Sequence, residues 1–266
     1  MSLTPLNVAI WQCRDHATSP AQRLDHLQAL LATGALAGTD LLILPELWTS
    51  GYFDAAAVIA ASEPADGPSV QALAALARRH RLAIAFGFPE RDAGLRYNTV
   101  ALLDATGALQ LRYRKINLWG DYERALFAAG DAPSALASVN GWQIGFSICY
   151  DTEFAETVRD LALRGADLVI APTACGAEFP LVAEAIIRVR ACENGVWLAF
   201  ANRSGEEFGY AFDGKSAIID PAGVSIAGGG DQDALISATL DPAVMARARA
   251  HSPYLTELRW APPRLG

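Results

Sequence analysis

Short apolar, β-branched runs alternate along the chain with longer segments whose apolar positions recur at helical spacing. The runs at 6–12, 41–44, 82–88, 98–103, 109–114, 142–149, 168–171, 196–201, 216–219 and 234–240 predict strands. Helices are predicted to begin after Ser19-Pro20, near Gly67-Pro68-Ser69, after Asp151 and near Phe179-Pro180. In each case a small or polar cap, or a first-turn proline, precedes the apolar pattern. Phe154, Val158 and Leu161 share one face of the third helix, which predicts its burial against a sheet. Asp104-Ala105-Thr106-Gly107 and Asp220-Pro221-Ala222-Gly223 read as hairpin turns. Hairpins mixed with strand–helix units favour mixed sheets over a purely parallel one. The expected architecture is α/β, with two sheets stacked on each other and helices outside.

The pattern contains neither an internal repeat nor a low-complexity tract, and no linker long enough to split it, so residues 1–266 are expected to form one domain. A hydrophobic content of 52% supports a large core. Gly228-Gly229-Gly230 reads as a flexible loop, not a phosphate cradle, because no P-loop lysine follows it. No apolar run approaches the roughly 18 residues of a membrane span. A formal net charge of -8 argues against nucleic acid or an anionic membrane as partner. The four cysteines lie far apart without CxxC spacing, and Met1-Ser2-Leu3-Thr4 opens no basic, apolar leader. Both observations predict a reducing, cytoplasmic setting.

Candidate chemistry sits where strands end. The run 41–44 stops at Pro45 and presents Glu46, which suggests a job at a sheet edge. Glu46 is either a surface or capping carboxylate or a general base whose apolar surroundings raise its pKa. Arg112-Tyr113-Arg114-Lys115 closes another strand and is a solvated basic edge unless Lys115 stabilises a thiolate and an oxyanion. Glu123 is either a solvated loop residue or the carboxylate that orients this lysine. Cys149 ends an apolar run and precedes Tyr150-Asp151-Thr152-Glu153. Read alone it is an inert core thiol. Its place before a helix start, where free N–H groups favour a thiolate, makes it a candidate nucleophile. Cys175 and Ala174, just past Pro172-Thr173, are expected to border the pocket, with Cys175 as the reserve nucleophile.

The ordered set Leu44-Pro45-Glu46, Tyr113-Arg114-Lys115 and Ile148-Cys149-Tyr150-Asp151 resembles the nitrilase superfamily of carbon–nitrogen hydrolases. The likeness extends through Arg190-Ala191-Cys192-Glu193-Asn194, Ala201-Asn202-Arg203-Ser204-Gly205 and Gly214-Lys215-Ser216. It implies a four-layer αββα sandwich that pairs into a homodimer or higher oligomer. It also implies a mechanism in which Glu46 takes the proton of Cys149 and the thiolate attacks an amide carbonyl. Lys115 and the backbone N–H of Tyr150 would hold the oxyanion, and Glu123 would fix Lys115. No metal or cofactor is implied, since Cys with Glu and no pocket histidine is a poor zinc set. His16, His26, His80 and His251 are left as ordinary residues.

Small-molecule amides, with water, are the substrates this implies. Tyr52, Trp119 and Tyr150 are expected to give the pocket a partly aromatic wall suited to a small apolar or amphipathic acyl group. Asp151 and Glu153 should repel acid-tailed substrates. That disfavours N-carbamoyl amino acids and ω-amidase substrates, although Arg188, Arg190 or Arg203 could still anchor a carboxylate. Nitrile hydrolysis uses the same thiol attack and stays open as a lesser alternative. A catalytically silent scaffold would have lost a member of the set, and Glu46, Lys115, Glu123 and Cys149 are all present.

Overall fold

The computed structural model describes residues 3–14 and 19–259. The first half runs β1 (Leu6–Gln12), α1 (Pro20–Ala32), β2 (Leu41–Ile43), α2 (Ala55–Ala60), α3 (Pro68–His80), β3 (Ala83–Asp92), β4 (Leu95–Leu103), β5 (Leu109–Arg114) and α4 (Gly120–Leu126). The second runs β6 (Ala137–Val139), β7 (Trp142–Phe146), α5 (Ala155–Leu163), β8 (Leu168–Pro172), α6 (Ile187–Asn194) and β9 (Trp197–Ala201). It closes with β10 (Glu206–Glu207), β11 (Tyr210–Ala211), β12 (Ala217–Ile219), β13 (Ser225–Gly228), β14 (Ala234–Leu240), α7 (Pro242–His251) and α8 (Tyr254–Glu257).

Two six-stranded sheets carry the fold, ordered β14-β1-β2-β3-β4-β5 and β13-β12-β9-β8-β7-β6. Both are mixed. Parallel centres (β1/β2/β3 and β7/β8/β9) are flanked by antiparallel strands, as the hairpin turns require. Strand alternation builds the layers. Val8, Ile10, Leu41 and Ile43 point between the sheets and meet Ile144, Phe146, Leu168 and Ile170. Ala9, Leu42 and Ile84 point outward against Leu27 and Leu31 of α1 and Leu73 and Ala77 of α3. On the other side α6 packs Ile187 and Ala191 on Leu198 and Phe200, while α5 packs Val158 and Leu161 on Val169. The result is a four-layer αββα sandwich.

Several expectations are corrected by the structure. The strand expected over 142–149 ends at Phe146, and a tight 3-10 turn over Cys149–Glu153 precedes α5. Phe154 caps α5 and is 37% exposed, so only Val158 and Leu161 of the expected face are buried. Glu46 lies at the end of an interior strand, not at a sheet edge. The helix expected near Phe179-Pro180 does begin at Pro180, but it passes through a wide π-type turn, Val182–Ile186, before α6. His16 falls outside the described residues. Among the described residues no helix is long and apolar enough to cross a membrane.

Candidate active site

Glu46 is positioned by backbone that the fold over-determines. Directly after it Leu47 takes a left-handed φ of 47°, an unfavourable conformation for a γ-branched side chain. Arg203 holds this turn by donating from Nε to the Glu46 carbonyl (3.0 Å) and from Nη2 to the Leu47 carbonyl (2.7 Å). Its Nη1 pairs with Glu207 Oε1 at 3.1 Å, and Glu207 Oε2 accepts the backbone N–H groups of Tyr52 (2.8 Å) and Phe53 (2.9 Å). From the other side β3 presses against the turn. A Cβ on Gly87 would stand 2.4 Å from the Leu47 nitrogen and 2.7 Å from the Pro45 oxygen. Gly87→Ala is therefore expected to cost about 3 kcal/mol of stability. An unchanged urea midpoint would refute that account.

Lys115 reaches the same point from the end of β5. Its Nζ donates to Glu46 Oε1 at 2.8 Å and to Glu123 Oε1 at 2.7 Å, and all three side chains are fully buried. Burial opposes the lysine charge, but the Glu46 and Glu123 carboxylates outweigh it and hold its pKa well above the ordinary value. For Glu46 burial wins. It raises the carboxyl pKa, against the lowering effect of Lys115 and with a further push from Glu123. Glu123, in the first turn of α4, also accepts from Tyr52 Oη (2.7 Å) and from the Trp119 backbone N–H onto Oε2 (2.7 Å). Tyr52 is thus a buried prop of Glu123, more than the open wall expected of it.

Cys149 follows β7 with a left-handed φ of 46°, which turns the residue out of the strand direction. Side chains impose this turn. Asp151 accepts from the Ile148 N–H (3.2 Å), Tyr113 Oη (2.7 Å), and both the N–H and Nδ2 of Asn117 (2.9 Å each). Thr152 Oγ1 donates to the Ser147 carbonyl at 3.0 Å. Asp151 is fully buried in this network, where its carboxylate holds the turn that carries Cys149. The expected thiolate gives way. Burial, reinforced by the Glu46 charge, pushes the Cys149 thiol well up despite Lys115 and the Ala174 backbone amide, both of which favour the thiolate. A five-residue 3-10 turn supplies too little of a helix dipole to reverse that.

The remaining candidates divide. Ala174 packs beside Leu47, Tyr52 and Phe212. Cys175 packs instead with Val182 and Ile187 under the outer helix, and burial pushes its thiol up to about 12. Half-buried Trp119 has its ring 6.0 Å from Phe179 and 6.4 Å from Tyr210, and Tyr210 lies 4.5 Å from Phe53. Tyr150, also half-buried, meets Phe154 edge-on at 5.0 Å. Arg190 donates to the Thr152 and Glu153 carbonyls and pairs with Glu193, and Arg188 donates to the Gly223 carbonyl. With Arg203 bound as above, the three arginines serve backbone. Glu153 is half-buried, and burial raises its carboxyl pKa. Among the described residues no group of three His, Cys, Asp or Glu side chains could hold a metal ion.

Sequence reasoning missed Asn98 and Glu207. The apolar pattern marks Asn98 only as the first residue of a strand, although asparagine is depleted in strands and its burial there needs a reason. Glu207 lies in a short β10–β11 hairpin with no apolar pattern to reveal it.

A family model described as carbon-nitrogen hydrolase matches residues 7–250. The chain belongs to the carbon–nitrogen hydrolase family, the nitrilase superfamily, and is an enzyme of that class. It is 43% identical over 258 residues to "Hydrolase in pqqF 5'region" of Pseudomonas protegens, covering 96% of this chain and 89% of that one. It is 34% identical over 234 residues to an (R)-stereoselective amidase of a Pseudomonas species, covering 87% and 84%. Among solved structures it superposes on the amidase of Nesterenkonia sp. AN1 with a TM-score of 0.82 at 32% identity, covering 96% of each chain. A variant of that amidase carries the acetamide moiety of fluoroacetamide covalently on its active-site cysteine (TM-score 0.82, 31% identity, 96% and 94% covered).

Proposed function

We propose that this enzyme hydrolyses a small carboxamide to the acid and ammonia through a thioester on Cys149. The observation that carries the reading is the buried Glu46–Lys115–Glu123 cluster within electrostatic reach of the Cys149 thiol. Because burial keeps that thiol protonated at neutral pH, attack requires a base in the same step. Glu46 takes the proton as sulfur bonds to the carbonyl carbon. Lys115 Nζ spends two N–H groups on carboxylates, which leaves its third, with the Tyr150 backbone N–H, for the oxyanion. The C–N bond then breaks, and ammonia departs with the proton held by Glu46. Water deprotonated by Glu46 attacks the thioester, the C–S bond breaks, and the proton returns to sulfur.

The aromatic rings around Trp119 and Tyr210 support an apolar or amphipathic acyl group. Arginines committed to carbonyl oxygens, and Glu153 nearby, count against acid-tailed carbamoyl and ω-amidase substrates. Self-association, as a homodimer or higher, is supported by exposed Phe154, Leu163 and Val189 on and beside α5 and α6. Cys149, Cys175 and Cys192 as thiols support a cytoplasmic setting.

The test is ammonia release from neutral aliphatic amides, amino-acid amides, carbamoyl compounds, ω-amides of dicarboxylic acids and nitriles. Acyl adducts are followed in parallel on the Cys149 peptide by mass spectrometry. Neutral carboxamides are expected to turn over fastest and to leave their acyl mass on Cys149. Faster turnover of an acid-tailed compound, or an adduct elsewhere, overturns the reading.

A further inference from the structure

Asn98 is buried, 1% exposed, at the point where β4 passes from its exposed start into the core. Its backbone carbonyl accepts from the Lys115 N–H at 2.8 Å, so it fixes the main chain of the lysine. Its side chain joins the two acids. Nδ2 donates to Glu46 Oε1 at 2.7 Å and, more weakly, to Glu123 Oε1 at 3.4 Å. Chemistry sets this orientation, because the reversed amide would place its oxygen against two carboxylate oxygens. Asn98 Oδ1 is buried without a hydrogen-bond partner among the described residues. An amide with one buried, unsatisfied end is costly in a strand, and an apolar residue of the same shape would avoid that cost. What offsets that cost is the pair of donations from Nδ2 to the buried carboxylates of Glu46 and Glu123.

The bonds show what it does. Glu46 Oε1 accepts from both Lys115 Nζ and Asn98 Nδ2, whereas Glu46 Oε2 is buried with no partner among the described residues. Two donors on one oxygen fix the carboxylate plane and leave the other oxygen as the basic one. We propose that Asn98 is a positioning residue for Glu46, bridging it to Glu123 and leaving Glu46 Oε2 as the oxygen that exchanges protons with the thiol and water. The proposal rests on the reading of Glu46 as general base. Asn98 also has an electrostatic consequence. Burial already favours the protonated form of Glu46, and a donor to its charged form works against that. Without the donor, the pKa of Glu46 moves further up and less base is present at neutral pH.

The full chain carrying Asn98→Leu, which keeps the shape and removes the donor, tests this. The readout is the rate of Cys149 alkylation by iodoacetamide against pH, followed on the Cys149 peptide by mass spectrometry. In the wild type the rate is expected to rise with pH through an acid limb that belongs to Glu46. In Asn98→Leu the limb is expected to lie about one pH unit higher, with the rate below the limb reduced about tenfold and recovering as pH rises. A residue with only a packing role would leave the limb in place. Asn98→Asp provides the second variant if the leucine chain does not fold. A third carboxyl beside Glu46 is expected to move the limb upward as well. A folded variant of either kind with the limb at the wild-type pH overturns the proposal. Glu46→Gln separates the two levels. If it keeps the wild-type limb, the base reading itself is wrong. If it abolishes the limb while Asn98→Leu leaves it unmoved, only the role of Asn98 falls.

Discussion

Cys149→Ala is expected to release ammonia from the best amide of the panel about 10⁵-fold more slowly than the wild type, with no acyl adduct on any peptide. The size of the loss follows from the absence of a second thiol that could take over. Cys175 is packed under the outer helix, and its thiol is pushed up to about 12. The fold should survive, because the change removes one sulfur and leaves the Asp151 and Thr152 bonds that make the turn. Alanine at φ 46° remains as strained as cysteine. Cys149→Gly, equally inactive, should be more stable than Cys149→Ala by about 1 kcal/mol, since glycine accepts the left-handed region freely. Ammonia assays with thermal unfolding of both variants check this. Retained turnover in the alanine variant would sink the covalent mechanism, and equal stability of the two variants would sink the strain argument.

The strands that the sequence made legible are those that face a core on at least one side. Leu6–Gln12, Leu109–Arg114 and Ala234–Leu240 were readable to the residue, because alternation or a continuous apolar run carries through to both ends. Among the unread strands, Ala137–Val139 does bury Ala137 and Val139 but is too short to show alternation, and the others have little to bury. Ser225–Gly228 is largely exposed, and Glu206–Glu207 with Tyr210–Ala211 is held by Glu207 bonds to distant backbone. The strand that ran too long, past Phe146, was extended by apolar Ile148. There Asp151 and Thr152 take over the backbone bonds that a strand would have made. The helix Pro242–His251 has a cap signal, Asp241 before Pro242, but only Met245 is buried on it, so no apolar stripe announced it.

The candidate site was legible as separate strand ends but not as one place. Glu46 and Lys115 stand 69 residues apart and meet at 2.8 Å only because β2 and β5 belong to one sheet. No local rule sees that distance, which is why resemblance to a family carried more weight than spacing. What sequence chemistry got wrong was the balance of terms at Cys149 and Asp151. Nearness in sequence suggested a thiolate at a helix start and an acid facing the substrate. Burial decides the first, and the Tyr113 and Asn117 donors decide the second.

Lys115→Met should show how much of the site depends on one charge. The variant removes an oxyanion donor, worth about 3 kcal/mol in the transition state, or more than a hundredfold in rate. It also disables the base. Without the lysine, burial and Glu123 drive the Glu46 carboxyl further up, so that it is protonated at neutral pH. Together the losses are expected to reach at least about 10⁴-fold in kcat/KM. Stability should fall by about 3 kcal/mol near pH 7, since two buried carboxyls lose their cation. The pH dependence distinguishes this cause from lost packing. In the variant the folded-state pKa of Glu46 lies above its unfolded value, so between those two values the native state binds more protons than the unfolded chain. Stability therefore declines as pH rises through that window and is regained as pH falls back toward the unfolded value. The gap to wild type, measured by denaturant unfolding, should be smaller at pH 5 than at pH 8. A gap that is equal at both, or activity within tenfold of wild type, would show that Lys115 fills space and does not hold the charges of the site. Lys115→Arg should not rescue activity, because a planar fork cannot replace a compact ammonium that touches two carboxylates at 2.7 and 2.8 Å in a fully buried position.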